Sequence, residues 1–433
     1  MWIYNKNIMI LQGGLGMKDY NCCVVVVGAG PAGMAAAISA KKNGAKKVIV
    51  IERENRMGGI LKQCIHAGFG LQYFGEELTG PEYAEKFSVI AKENGIEFML
   101  NTTAIEIKDK TLVCVNTEGV VNIHFGALVL AMGCRERTRA NLMIPGSRPA
   151  GIYTAGTAQK LINVFGHKVG KEVVILGSGD IGMIMARRVS LGGAKVKAVV
   201  EIMPYLAGLT RNKIQCLDDF DIPLLLSHTI VDITGVDRVE SVTIAPVDEN
   251  RRPIMEKAET ITCDTLLLSV GLIPENELTR SADVALSGIT KGAIVNQYKQ
   301  TDKPYIFACG NVLHVNDLVD HVSHESEEAG KFAALYAAGE LEVGEEVDVV
   351  PGDGVRYVCP QKMTCTEANV DFYFRTAAPG RGTTLTISDD SGVLVTKKLV
   401  CTTPGTIEKL TLPADKAKAV CGNIVVRAEH KEA

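Results

Sequence analysis

Two stretches of the chain share one pattern of apolar and polar positions. Cys22 to Val27 is an apolar, mostly β-branched run that stops at Gly28-Ala29-Gly30-Pro31-Ala32-Gly33. Glu172 to Leu176 is a similar run that stops at Gly177-Ser178-Gly179-Asp180-Ile181-Gly182. A helix-like segment follows each turn, then a second β-branched run, Lys47 to Ile51 and Ala194 to Val200. Each second run ends in an acid, Glu52 or Glu201, 24 residues after the first glycine. The pattern predicts strand, tight turn, helix and strand, twice over.

The remaining pattern alternates in the same way. Ala84 to Asn94 reads as a helix and Gly95 to Leu100 as a strand. Residues 103–125 alternate apolar and polar about Gly119, which predicts a β-meander, and Leu128 to Met132 reads as a buried strand ending at Gly133. Asp232 to Val247 and Ile261 to Val270 are strand-like, Ala308 to Asn311 closes a strand, and Ser323 to Ala338 is a helix of small residues. From about residue 345 the style changes. Alternating segments at Asp371 to Arg375, Thr383 to Ile387, Gly392 to Thr396 and Gly422 to Val426 predict a small, mostly β C-terminal domain. The fold class is α/β, with two Rossmann-like units followed by that domain.

Composition narrows the function. Net charge is -4 and aromatic residues make up 5%, which argues against nucleic acid as a partner and against a sugar-binding surface. Asn21 to Ala40 carries no charge over twenty residues, but Gly28, Gly30, Pro31 and Gly33 interrupt it, so a strand-turn-helix replaces a membrane span. Residues 1–16 match no targeting signal, being short in apolar character and broken by Gly13, Gly14 and Gly16. Residues 1–17 are read as a disordered leader, with Met17 as the functional start. Twelve scattered cysteines, many in apolar stretches, indicate a reducing, cytoplasmic compartment.

The glycine turns carry a chemical reason. A pyrophosphate must approach the backbone at a helix N-terminus. The first glycine allows the turn, the second leaves room for phosphate, and the third lets helix and strand pack. The acid after the second strand accepts hydrogen bonds from the adenosine ribose. Small-molecule dinucleotides are therefore the expected ligands. Glu201 would repel a 2′-phosphate, which favours NAD over NADP at the second unit, although Arg211 keeps NADP possible.

At this point the chain resembles the FAD- and NAD(P)-dependent pyridine nucleotide-disulfide oxidoreductase superfamily, class II, thioredoxin-reductase-like in layout. Four blocks within about residues 20–340 carry the resemblance. They are Gly28 to Gly33 with Glu52 and Gly58-Gly59; Leu128 to Arg135; Gly177 to Gly182 with Glu201; and Tyr305 to Asn311. The resemblance implies FAD on Gly28, Gly30, Pro31, Ala32, Gly33, Glu52, Arg53, Gly58, Gly59, Ile60, Ala131, Gly133, Gly310 and Asn311. It implies NAD on Gly177, Gly179, Asp180, Ile181, Gly182 and Glu201. Asn311 stands where the family has an acid at the flavin ribityl or pyrophosphate. The implied layout is of three-layer ββα domains, with the NAD domain (146–285) inserted into the FAD domain (18–145 and 286–345) and a C-terminal β domain at 346–433.

The segment Met57 to Gly70 is similar to a narrower branch: flavoproteins that accompany a glycerol-3-phosphate dehydrogenase-like protein, and α-type subunits of heteromeric amine, opine or proline dehydrogenases. That similarity implies an FAD/NAD(P)H oxidoreductase relaying electrons to or from a partner dehydrogenase subunit, in a homo- or hetero-oligomer. A dithiol reductase needs a second thiol near Cys64, and none follows within ten residues. Cys64 with His66 as acid/base leaves open a single-cysteine NADH oxidase or peroxidase. Both residues also fit as lining of the flavin pocket. A third reading is a non-catalytic, FAD-bearing assembly subunit. His314, His321 and His324, with Asp317 and Glu325 nearby, have the residue types of a metal site but fall where the flavin-covering helix begins. Cys359, Cys365, Cys401 and Cys421 lack the CxxC spacing of a zinc or iron–sulfur site. No metal is expected.

Overall fold

The computed structural model describes residues 16–430. The first apolar run is part of strand β1 (Gly16–Val27), which leads through the glycine turn into helix α1 (Pro31–Lys42) and strand β2 (Val48–Ile51). Every position of β2 is buried, as expected of a parallel strand covered on both faces. Helix α2 (Gly80–Glu93) follows and starts earlier than the apolar pattern indicates. The Glu82 carboxylate accepts the Thr79 N–H at 2.8 Å, a capping box that starts the helix. Strands β3 (Glu97–Met99), β4 (Thr103–Lys108), β5 (Thr111–Asn116) and β6 (Gly119–Leu130) complete the first unit. The sheet runs β3-β2-β1-β6-β5-β4, and Ile306–Ala308 returns to lie parallel to the end of β6.

Two expectations about this sheet are corrected. Strand β1 begins six residues before Cys22, and Met17 to Asn21 pair with Val120 to His124. Of the expected leader, residues 1–15 lie outside the described residues, while Gly16 and Met17 belong to a strand. The last strand of the meander and the strand at Leu128 are also one continuous β6. Within it Gly126 marks close packing: a Cβ there would stand 2.8 Å from the Cys23 oxygen and 2.9 Å from the Ala337 Cβ.

The second unit contains α3 (Ala155–Asn163), β7 (Glu172–Leu176), α4 (Asp180–Leu191), β8 (Lys195–Val200), α5 (Thr210–Cys216), β9 (Leu224–Leu225) and β10 (Thr265–Leu268). Its parallel sheet runs from Ile152–Thr154 through β10, β7 and β8 to β9. An antiparallel meander, His228–Gly235, Val239–Pro246 and Glu259–Thr262, supplies Ile230, Val242 and Ile244 to one face of the core. Ala158 of α3 and Met185, Ala186 and Val189 of α4 pack on the other face. Each unit is therefore sheet-centred and the α/β class holds.

Helix α6 (Val319–Ala338) lies against α1 through small residues. At Gly330 a Cβ would stand 2.0 Å from the Ala36 oxygen, so only glycine permits this approach. The C-terminal region forms a five-stranded and a three-stranded sheet about Phe372, Phe374, Leu385, Ile387, Leu410 and Val426. Arg375 joins this region to the loop before α6. It pairs with Asp317 and donates to the Val315 oxygen at 3.0 Å and the Pro404 oxygen at 3.3 Å, while Asp317 accepts the Ile407 N–H at 2.7 Å. Both side chains are mostly buried. Arg375→Ala leaves Asp317 without its counter-ion and is expected to destabilise the protein by about 2–4 kcal/mol in chemical denaturation. An unchanged midpoint would show that this joint carries no stability.

Candidate functional site

The two glycine turns are built on the same hydrogen-bond register. In the first, Gly28 N–H donates to the Ile51 oxygen at 2.8 Å, and Gly177 N–H repeats this to Val200 at 2.7 Å. Gly28 and Gly177 have φ of +105° and +101°, the left-handed region that favours glycine. A Cβ would stand 2.5 Å from the Ala131 oxygen at Gly28 and 2.1 Å from the Ser269 oxygen at Gly177. At the third glycines, Gly33 and Gly182, a Cβ would stand 1.8 and 2.5 Å from the oxygen of the first glycine. The second glycines differ from both. A Cβ on Gly30 meets nothing within 4 Å, and one on Gly179 only reaches Ser269 atoms at 4.0 Å. These open positions lie at the N-cap of α1 and of α4, the place a pyrophosphate needs.

The acids repeat as well. Glu52 accepts the Ala29 N–H at 2.9 Å and the Glu54 N–H at 2.8 Å. Glu201 accepts the Ser178 N–H and the Met203 N–H, both at 2.9 Å. Both carboxylates are buried against the turn they follow. Beyond them, Asn101 and Ser227 share a positive φ, and Thr102 and His228 donate backbone N–H to the Glu52 and Glu201 oxygens at 2.9 Å. The pairing extends to Gly58 and Gly208, whose N–H groups bond the Ala29 and Ser178 oxygens at 2.8 and 3.1 Å. Gly208 and Ser178 carry no separate signal in the sequence. Ser178 Oγ donates to Glu201 at 2.8 Å and accepts the Ala207 N–H at 3.0 Å.

Around the first turn the structure gathers Gly58, Gly59, Ala131 and Gly310. A Cβ on Gly59 would stand 3.0 Å from Gly30 Cα, and one on Gly310 would stand 2.7 Å from the Ala32 Cβ. Asn311 is half-buried, accepts the Asn316 N–H at 2.9 Å and points its amide at Cys134 Sγ, 3.7 Å away. Gly133 keeps open space at its Cβ position. Arg53 and Ile60 are exposed at the rim. In the second unit Pro31 is replaced by Asp180, whose carboxylate turns to Leu209 and Asn212. Beside Leu176 and Ile202 a cavity of about 470 Å³ is lined by Met143, Ile230, Pro253 and Met255. Arg211 is exposed, and its guanidinium lies 3.7 Å from where a Cβ on Gly68 of the first unit would stand.

Cys64 and His66 are placed differently from one another. Cys64 Sγ faces two acceptors, the Ile60 oxygen at 3.4 Å and Gln159 Oε1 at 3.8 Å. Burial pushes the pKa of its thiol up to about 12. His66 is half-buried, with its Nδ1 3.0 Å from the Ala67 oxygen and its ring on Phe69. The neighbourhood of Cys64 is instead a joint between the units. Gln63 donates to the Gly156 oxygen at 2.8 Å and to Gln159 at 3.0 Å, and Asn163 donates to the Gln63 oxygen at 2.9 Å.

The three histidines near α6 take separate partners. His321 bonds Gln72 at 3.1 Å, and exposed His324 lies beside Glu327. His314 is buried with Glu325 at 3.0 Å, and Cys359 completes a group whose donor atoms lie within 4.8 Å of one another. The buried Lys299 ammonium stands 4.0 Å from Glu325 and 3.2 Å from Glu328, so a cation of the chain already faces that carboxylate. Burial raises the Glu325 pKa, but His314, Lys299 and the Gly310 N–H outweigh it and hold the carboxyl below its ordinary value.

Residues 23–330 match the family model described as pyridine nucleotide-disulphide oxidoreductase. The chain belongs to this family. Membership agrees with FAD and a nicotinamide dinucleotide as the expected cofactors. Hydrogen cyanide synthase subunit HcnB of Pseudomonas protegens is 28% identical over 319 residues, 66% of this chain and 65% of that protein. An opine oxidase subunit of Agrobacterium tumefaciens is 26% identical over 345 residues, 74% of this chain and 66% of that one. The chain thus spans 65–66% of the length of these relatives. A crystal structure of T. acidophilum thioredoxin reductase shares the fold with a TM-score of 0.60 at 21% identity, over 74% of this chain and 99% of that one. None of the described helices is long and apolar enough to cross a membrane.

Proposed function

We propose that this family member is an FAD-dependent oxidoreductase that moves hydride between NAD(P)H and FAD and relays electrons to or from a partner dehydrogenase subunit or second acceptor. The duplicated cradle carries this reading: two helix N-termini, each with an open second glycine and a buried acid in the same register. The main-chain N–H groups of Ala32 and Gly33 would hold the FAD pyrophosphate, and Glu52 its ribose, with Gly58, Gly59, Gly310 and Asn311 closing the site. Ile181 and Gly182 would hold the second pyrophosphate and Glu201 its ribose. The cavity beside Leu176 and Ile202 offers an apolar wall for adenine. When bound, the nicotinamide and flavin rings supply the hydride exchange, while the protein supplies position and exclusion of water.

Glu201 favours NADH over NADPH, since its carboxylate would face a 2′-phosphate, and Arg211 reaches toward Gly68. The domain boundaries at 145/146, 285/286 and 345/346 belong to the same proposal. The relay to a partner is supported by relatives that are named as subunits, of hydrogen cyanide synthase and of opine oxidase. Cys64 is kept as a thiol by burial and two acceptors, which favours the relay over a peroxidase cycle.

Cys64→Ser is therefore expected to leave NADH oxidation with an artificial electron acceptor unchanged, with no peroxide consumption before or after the substitution. Loss of NADH turnover in Cys64→Ser, together with peroxide reduction by the unsubstituted chain, would replace the relay with a thiol-based peroxidase.

A further inference from the structure

The two cradles match in backbone register but differ in charge at the residue that opens the helix. Pro31 opens α1, brings no N–H and no charge, and no acid stands in the first turn. Asp180 opens α4 and is the acid of its first turn. Its Oδ1 accepts the Leu209 N–H at 2.9 Å and the Asn212 Nδ2–H at 2.7 Å, and Asn212 is itself buried. Gly208 makes this possible. A Cβ there would stand 2.7 Å from Asp180 Oδ1 and 2.8 Å from the Asp180 nitrogen. In the first unit Gly58, the counterpart of Gly208, faces the Ala84 and Lys62 side chains, and the next residue, Gly59, closes backbone on backbone against Gly30. The second unit therefore closes its cradle with a carboxylate where the first uses glycine alone.

That carboxylate has two separable effects. As an acceptor it fixes the start of α5 beside the phosphate-binding turn. As a half-buried charge it sits in the same helix-end field that would attract a pyrophosphate, and it opposes an incoming anion. We propose that Asp180 sets the exchange character of the second site, holding down affinity for the nicotinamide dinucleotide so that it comes and goes while FAD stays. The inference rests on the reading that the second cradle takes a pyrophosphate.

Asp180→Asn separates the two effects, because the amide oxygen still accepts from Leu209 and Asn212 while the charge is gone. Titration of the FAD-containing full chain with NAD+, followed by calorimetry, is expected to show a Kd about tenfold lower in Asp180→Asn, and a correspondingly slower release. A purely structural role for Asp180 would not tighten binding. Asp180→Ala also removes the charge but frees Leu209 and Asn212, so its gain is expected to be smaller than that of Asn. An unchanged or weaker affinity in Asp180→Asn, with NAD+ still binding to the unsubstituted chain, overturns this inference and leaves the two-cofactor reading standing. No NAD+ binding to either protein overturns both.

Discussion

Gly177→Ala is expected to give a yellow protein whose flavin NADH no longer bleaches. A Cβ at this position would stand 2.1 Å from the Ser269 oxygen, on a backbone with φ of +101°. Neither constraint can relax cheaply. Ser269 N–H is bonded to the Leu176 oxygen at 2.7 Å, and Gly177 N–H is fixed to Val200. The turn must shift, and with it the N-terminus of α4 and the carboxylate of Glu201. A loss of about 3 kcal/mol in dinucleotide binding, roughly a hundredfold, follows from a steric clash of this kind at a left-handed position. FAD content should remain near that of the unsubstituted protein, because the first cradle is made by Gly28 to Gly33 and Glu52, with Ala131 at its wall. Absorbance of the purified variant and its bleaching by NADH in a stopped-flow instrument measure both halves. Fast bleaching in this variant would show that the nicotinamide does not depend on this turn.

Glu325→Ala is expected to cost about 3 kcal/mol of stability, read by chemical denaturation, because it leaves buried Lys299 with Glu328 alone and removes the acceptor that faces His314 and the Gly310 N–H. Lys299 and His314 are each 1% exposed, and Glu325 is the carboxylate both of them face. It also accepts the Gly310 N–H at 3.3 Å, which ties the network to the segment packed on α1. Glu325→Gln keeps an acceptor for Gly310 and should lose less. The pH dependence has a defined sign. The folded carboxyl titrates below its ordinary value, so its contribution is complete above about pH 4.3 and is lost as pH falls through the folded value. The stability gap between the native chain and Glu325→Gln should therefore narrow on acidification. A constant gap would show that the carboxyl is not ionised in the folded protein.

The cradles were legible because their geometry is written in local sequence. A glycine at φ near +100° and an acid at the end of the next strand leave a residue-level signature, and the repeat doubles it. The capping box at Thr79 and Glu82 was equally local, yet the apolar pattern placed that helix start too late. Polar Lys18, Asp19 and Asn21 concealed the first half of β1, whose edge pairing with β6 is a tertiary fact. The join between the meander and the strand at Leu128 passes through Gly126, whose crowding by Cys23 and Ala337 is set by packing and leaves no local signal. The tie from Asp180 to Leu209 and Asn212 spans up to 32 residues and follows no periodicity. The Lys299–Glu325–His314 network is likewise set by packing. The histidine spacing suggested a cluster, but α6 sends His321 and His324 to other partners.

Anaerobic titration of the purified full chain with NADH tests the central claim most directly. Two cradles that bring their cofactors together predict about one bound flavin per chain, fully bleached by about one equivalent of NADH. A protein that holds no flavin, or whose flavin stays oxidised with excess NADH and NADPH alike, would contradict it.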